Sequence, residues 1–412
     1  MNILYINHYA GSPKYGMEYR PYYLSSEWIK LGHNVKIIAS SFSHLRKIQP
    51  ESKYLQPFLE KIDDIPYLWI KGIKYKTNGL GRLFNILSFL SGVFFRAKKI
   101  SHEFKPNVVI ASSTYPLDIY VAYYLAKCNN AKLVFEVHDL WPLSPIELSN
   151  ISPNNPFMRW CQAAEDFAYK NSDIVVSILP NVHDHMQTHG LDLNKLHIVS
   201  NGVVADDWKT DNILPIPDSL QNIIDSLKKE NKCIIGYAGS LGIPNAMEYL
   251  LQAASLIKNS NFHFLIVGDG LEKNNLIKLS KKLNLDNVTF HNQIAKKAIP
   301  ALLSYFDIAY IGWRKKSIYR FGIAPNKLFD YMMAECLILH SVSAGNDLVQ
   351  DAFCGVSVEP ENPAAIVQGI LKLSHLDKSI VVKMKTSGRD FVIKNHTYTV
   401  LANKFLKVIS NE

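Results

Sequence analysis

Short apolar stretches alternate with helical ones twice along this chain, and that rhythm constrains the fold more than any other feature. In the first half the strand-like stretches are Asn2–Asn7, Val35–Ala39, Val108–Ser112, Leu133–Val137 and Ile174–Ser177. Helical patterns at Glu18–Lys30, around Pro116–Lys127 and around Phe157–Lys170 lie among them. A second series starts near Cys233, with strands at Ile234–Ala238, Phe262–Val267, Val288–His291 and Ile308–Ile311. Helices near 246–257, 271–283 and 300–305 separate these. Such alternation builds doubly wound parallel sheets. At 412 residues the chain is longer than one core usually serves, so two α/β domains are expected. The polar, proline-containing stretch Asp206–Asp218 is the best linker candidate. The expected division falls between 205 and 206.

Composition excludes several classes. Apolar residues make up 48% and charged residues 20%, as in ordinary globular proteins. No run reaches the roughly 18 apolar residues of a membrane span, and the start Met-Asn-Ile-Leu-Tyr-Ile reads as a strand rather than a signal peptide. The five cysteines have no metal or redox spacing, so they read as reduced thiols of a cytoplasmic protein. Residues 1–132 hold 18 Lys and Arg against 8 Asp and Glu, while the other 280 residues nearly balance. The basic first part either faces an anionic partner or only keeps the protein soluble. Residues 82–99 pattern as one broad apolar helix with basic ends, suited either to an anionic bilayer surface or to a core position. No nucleic-acid module accompanies the basic stretch. No metal motif is present; His183, His185 and His189 fall on an expected surface helix, and no metal cofactor is expected.

Ligands of open α/β sheets bind outside the carboxyl ends of the strands, so the loops that follow strands matter most. After the first strand come Gly11 and Gly16, opening a helix: either a simple turn or a source of N–H groups for an anion. His138-Asp139 follows a strand, where the imidazole either reaches a sugar or phosphate oxygen or is structural. Gly239-Ser-Leu-Gly242 and Gly268-Asp-Gly270 are two further glycine turns. The densest stretch is 312–334. Arg314, Lys315, Lys316, Arg320 and Lys327 precede or open a helix entered at Pro325-Asn326, and cations there can neutralise a diphosphate without a metal. Lys327 and Asp330 share a helix face, one suited to phosphate and the other to a ribose hydroxyl; an ordinary basic loop is the alternative.

Together these residues resemble the retaining GT-B glycosyltransferases of family 4, over nearly the whole chain. Gly16-Met-Glu-Tyr-Arg20 with Leu31-Gly-His33-Asn-Val35, Ser200-Asn-Gly-Val203, Gly239-Ser-Leu-Gly242 and Val267-Gly-Asp-Gly270 are similar to that family's steps. The most specific match is Pro325-Asn-Lys-Leu-Phe-Asp-Tyr-Met-Met-Ala334, which is similar to bacterial O-antigen and capsule N-acetyl-fucosamine transferases. The resemblance implies two Rossmann-like domains facing a cleft, 1–205 with a crossover helix in 396–412 binding acceptor and 206–395 binding nucleotide sugar, with hinged closure near 205–232. It implies donor contacts at Gly16, Asn201, Gly239, Ser240, Gly268, Gly270, Pro325 and Asn326, base reading near Asn292 and Ile294, and ribose binding by Asp330. His138, with Asp139, belongs to the donor sugar and its chemistry, and Tyr15 and Arg20 to the acceptor. Uridine is the preferred base, and a polyprenyl-diphosphate-linked or oligosaccharide acceptor at the inner face of the plasma membrane is implied. Three positions depart from the family. Its first motif glutamate would fall at Gly322, and its Arg and Lys at Ser240 and Asn245. Neutralisation is therefore assigned to Lys327 with Arg314 or Arg320. A GT-B nucleotide-sugar 2-epimerase and a non-catalytic GT-B partner subunit stay open as alternatives.

Overall fold

β1 (Asn2–Ile6) is buried on both faces, as a strand inside a parallel sheet covered by helices must be. In the computed structural model, all residues are described except 47, 52–56, 76–78, 259–260 and 411–412. The chain divides into two compact units, Met1–Asn201 with Tyr398–Glu412, and Gly202–Thr397.

Unit 1 holds an eight-stranded sheet. Its strands are β1, β2 (Asn34–Ser40), β3 (Phe58–Ile62), β4 (Ile65–Ile70), β5 (Val108–Ala111), β6 (Lys132–Val137), β7 (Ile174–Ser177) and β8 (Leu196–Ile198). The order is β3-β4-β2-β1-β5-β6-β7-β8, parallel except for the β3–β4 hairpin. The sequence pattern left out that hairpin, β4 and β8 included. The first helix, α1 (Arg20–Lys30), packs on the final helix of the chain, Tyr398–Ser410. Trp28 Nε1 donates to Ala402 O at 3.1 Å, and the Trp28 and Phe405 rings lie 5.3 Å apart.

The single helix expected over 82–99 is two helices, α2 (Leu80–Phe94) and α3 (Ala97–Phe104), bent by 51°. No Gly or Pro marks the break, so sequence punctuation carried no signal for it. Ile86, Phe89, Leu90 and Val93 face the core, while Leu80, Phe84, Phe94 and Phe95 are exposed. Among the described residues no single helix is long and apolar enough to cross a membrane; only this bent pair passes by length and composition.

Unit 2 holds six parallel strands: β9 (Cys233–Ala238), β10 (Phe262–Val267), β11 (Val288–His291), β12 (Ile308–Gly312), β13 (Leu337–Ser341) and β14 (Gly355–Ser357). Their order is β11-β10-β9-β12-β13-β14. The expected linker 206–218 packs onto this unit instead: Leu214 N donates to Lys297 O at 3.0 Å and Asp207 pairs with Lys296 at 3.5 Å. The helix that follows buries Leu220, Ile224 and Leu227, which ties the expected hinge region into the unit's core.

Candidate functional site

The strand order of unit 2 reverses between β9 and β12. From β9 the chain winds outward through β10 and β11, then returns through β12 to β13 and β14. The loops leaving the two central strands must part there, and a crevice opens at their carboxyl ends. Gly239 leaves β9 into it. The eight-residue helix Asn326–Met333 follows β12 and brings Lys327 to the same place. A Cβ on Gly239 would lie 2.6 Å from Lys327 Cε and 2.9 Å from its Nζ. Glycine there is what leaves room for the ammonium.

Lys327 Nζ donates to Tyr237 Oη at 2.7 Å and lies 4.0 Å from the centre of that ring. Asn245 Oδ1 is 3.5 Å away. Burial pulls the ammonium down from its ordinary 10.5 to about 7, since taking charge from water disfavours the ionised form. Three residues on, burial pushes Asp330 up to about 7, with Lys296 opposing and Asp207 adding to the shift. A cation and a carboxylate thus stand near their switching points on one helix face, at a helix N-terminus suited to anions.

The remaining residues expected in this half fall into two groups. Gly268 and Gly270 pack tightly: a Cβ on either would meet backbone, at Gly239 O (1.8 Å) and Leu241 O (2.4 Å) respectively. They let the β9 and β10 loops approach each other. Ser240 and Asn326 are exposed, and Pro325 enters the helix as its N-cap. Asn292 accepts from Lys273 Nζ at 2.6 Å, and Ile294 packs against the core. Arg314, expected at the phosphates, has partners within its own unit. It pairs with Glu248 and, at 3.5 Å, with Glu361, and lies over Tyr249. Two carboxylates flank its partly exposed guanidinium. Arg320 stacks at 4.3 Å on Phe321. Gly322 has φ of 95°, a left-handed conformation that side chains rarely adopt. A glutamate at this position would be strained, so the loop is built around the glycine. Asn346 clamps that loop from both sides, accepting from Ile323 N at 2.7 Å and donating to Ile323 O at 3.0 Å.

In unit 1 the order reverses between β1 and β5, and a buried polar network lies at their ends. Glu136, on β6, accepts from Arg20 Nε at 2.9 Å, from Ser112 Oγ at 2.6 Å and from the Tyr5 hydroxyl. Burial alone would raise its carboxyl. The Arg20 guanidinium, then His138 and Ser112, overcome that and hold it well below the usual carboxylate range. His138 Nε2 sits 2.8 Å from Ser112 Oγ and 3.2 Å from Glu136 Oε2. The ring is thereby oriented from beneath, with its side chain 12% exposed.

The two residues expected at the acceptor, Arg20 and Tyr15, are both buried in unit 1. Arg20 is 1% exposed and also donates to Ser200 O at 2.6 Å and Val199 O at 2.9 Å, near Asn201, so it braces the unit. Tyr15 is 6% exposed, its hydroxyl donates to Glu60 and its ring meets Trp69 edge-on. Nor does Gly16 offer a free N–H: it donates to Ser12 O at 2.7 Å inside its own turn. Asp139 accepts from Ser144 Oγ, and burial raises its carboxyl. It borders a cavity of about 600 Å³ whose walls include Leu80, Leu83, Ile86, Trp141 and Met158, with Arg82 at its side.

The residues missed from the sequence are Tyr237, Glu136, Ser112 and Asn346. Glu136 carried a signal, as a lone carboxylate inside the apolar run Leu133–Val137. Tyr237 carried none, because it completes an apolar strand.

Comparison with known proteins places both halves. The family described as Glycosyltransferase Family 4 matches residues 15–207, and Glycosyl transferases group 1 matches 219–391. Each half thus matches a glycosyltransferase family model, and the fold is that of the GT-B architecture. It is 29% identical to the "Putative colanic acid biosynthesis glycosyl transferase WcaI" of Escherichia coli (strain K12), over 42% of each chain. It is 21% identical to the "Probable glycosyltransferase WbjE" of Pseudomonas aeruginosa, over 74% of this chain and 73% of that one. Among solved structures, a glycosyltransferase from Rickettsia africae superposes with a TM-score of 0.71 at 18% identity, covering 99% of this chain and 98% of that chain. Anabaena Alr3699/HepE, solved with UDP and glucose, gives 0.69 at 14% over the whole of both chains. At these identities the structural matches speak for the fold.

Proposed function

We propose that this protein is a retaining glycosyltransferase that takes an N-acetylated hexosamine or deoxyhexosamine from a UDP-sugar. The acceptor proposed is a lipid-linked or oligosaccharide intermediate of surface polysaccharide synthesis, such as O-antigen or capsule. The observation that carries the donor half of this reading is the Lys327 ammonium, held over Tyr237 in the space left by Gly239 at a helix N-terminus. A diphosphate placed there meets a cation and helix N–H groups where leaving-group charge develops, with no resident metal required. Asp330 takes the ribose hydroxyls. UDP in the HepE complexes supports uridine as the base. The relative named for colanic acid biosynthesis supports the pathway class.

For the acceptor, the cavity beside Asp139 is apolar along α2 and has a cation in Arg82. It suits an amphiphile with an anionic head, such as a polyprenyl diphosphate. The exposed Phe84, Phe94 and Phe95, with Arg96, Lys98 and Lys99, support peripheral docking on the inner face of the membrane. His138, oriented by Ser112 and Glu136, contacts the donor sugar. With retention, the leaving diphosphate takes the acceptor proton as the new glycosidic bond forms on the same face. The protein then contributes positioning and charge stabilisation.

Thermal stabilisation by UDP, GDP and ADP in EDTA tests the donor assignment. A rise with UDP alone is expected. No rise with any of the three would favour the non-catalytic partner reading that Gly322 raises.

A further inference from the structure

Unit 1 gathers three metal-ligating side chains outside the loops described above. Glu165 lies on α4 (Pro156–Asn171), His185 on α5 (His183–Thr188), and His189 directly follows α5. One ligand atom from each lies within 4.8 Å of the other two. The histidines are four residues apart, so their rings share one face, with centroids 4.7 Å apart. The sequence pattern alone put these histidines on a surface helix. In the fold, His185 turns inward to 12% exposure against a Glu165 side chain that is 2% exposed.

His185 Nε2 and Glu165 Oε1 stand 3.6 Å apart. That exceeds an N–H···O hydrogen bond and approaches the roughly 3.3 Å between two ligands of one tetrahedral zinc ion. Neighbouring side chains hold the three in place: Tyr169 Oη donates to Glu165 Oε1 at 2.8 Å, Gln162 Nε2 donates to Glu165 Oε2 at 2.9 Å and lies 2.9 Å from His189 Nδ1, and Asp166 Oδ1 lies 3.0 Å from that same nitrogen. Contacts of this kind hold metal ligands in place. Two imidazoles and one carboxylate suit zinc, whereas calcium and magnesium favour all-oxygen sites.

We propose that Glu165, His185 and His189 bind a zinc-class divalent ion that clasps α5 to α4, with water completing the coordination. The site shares no residue with either donor or acceptor half-site, so it stands independently of the proposed function. The test is calorimetric titration of the full chain, stripped of metal, with Zn²⁺, alongside the visible spectrum with Co²⁺. One saturable ion per chain and a four-coordinate Co²⁺ spectrum are expected. His189→Ala, at a partly exposed position, should weaken Zn²⁺ binding by about tenfold or more. His183→Ala, exposed on the same helix, should leave it unchanged, and UDP affinity should be unchanged in both. Equal Zn²⁺ affinity in wild type and His189→Ala would overturn the site. So would an equal loss in His183→Ala, or no saturable binding by the wild type. Glu165→Gln supplies a further reading that keeps the carboxylate's shape.

Discussion

Each unit takes charge out of water at the carboxyl ends of its central strands, and the two do so in opposite ways. In unit 1, Arg20 and Glu136 meet each other, and backbone carbonyls and hydroxyls complete their hydrogen bonds. The result is a carboxylate locked in its ionised form. In unit 2, Lys327 meets a tyrosine and an asparagine, and among the described residues no carboxylate pairs with it. Its ammonium falls to about 7. A fully paired buried charge is framework, because removing one partner strands the other. A half-buried charge without its opposite is a cost to the fold that an anionic ligand can relieve.

The sharpest way to break this comparison is at the framework. Arg20→Ala should destabilise the protein by about 3–5 kcal/mol, as for other broken buried pairs, read by urea unfolding. A loss under about 1 kcal/mol would mean that the pair behaves like a surface ion pair. Gly239→Ala probes the other side. Its methyl would displace the Lys327 ammonium and should weaken UDP binding by about tenfold, on the order of one charge-assisted hydrogen bond; because Gly239 has φ of 154°, where a side chain is strained, the melting temperature should fall as well.

pH sharpens the contrast further. Lys327 titrates near 7 when folded and near 10.5 when exposed. Between those values the unfolded chain binds more protons, so this group adds stability as pH rises from about 7 toward 10. Asp330 works in the other direction: raised from 3.8 to about 7, it loses stabilising effect as pH rises through that interval. A bound diphosphate needs the ammonium charged. UDP affinity should therefore fall by up to about tenfold per pH unit above 7, and Lys327→Ala should flatten that limb in calorimetry. The smallest effect is expected at the surface. Phe95→Ser, at a side chain 81% exposed, should reduce flotation with anionic liposomes while moving stability by no more than about 0.5 kcal/mol.

The sequence made the αβ rhythm legible because buried parallel strands are continuous apolar runs. It hid elements whose signals are short or mixed. β3, with Glu60 and Lys61 in it, does not read as apolar, and β13 follows a helix after only Ala334-Glu335-Cys336. The bend after Phe94 had neither Gly nor Pro to announce it. At the site, Lys327 and Asp330 were visible by helical spacing. Whether a cation is available was not visible, because that depends on partners distant in sequence. Arg314 and Arg20 pattern as ligands for an anion and an acceptor, and their partners Glu248 and Glu136 lie far from them in sequence.

Titration calorimetry of UDP into wild type and Lys327→Ala, in EDTA at pH 7, tests the central claim most directly. The account predicts that the variant binds UDP about 10- to 100-fold more weakly, the range of a hydrogen bond to a charged group. It also predicts that the variant melts at or above the wild-type temperature. Equal affinity, or a variant that fails because it unfolds, would contradict the claim that Lys327 is held for the diphosphate rather than for the fold.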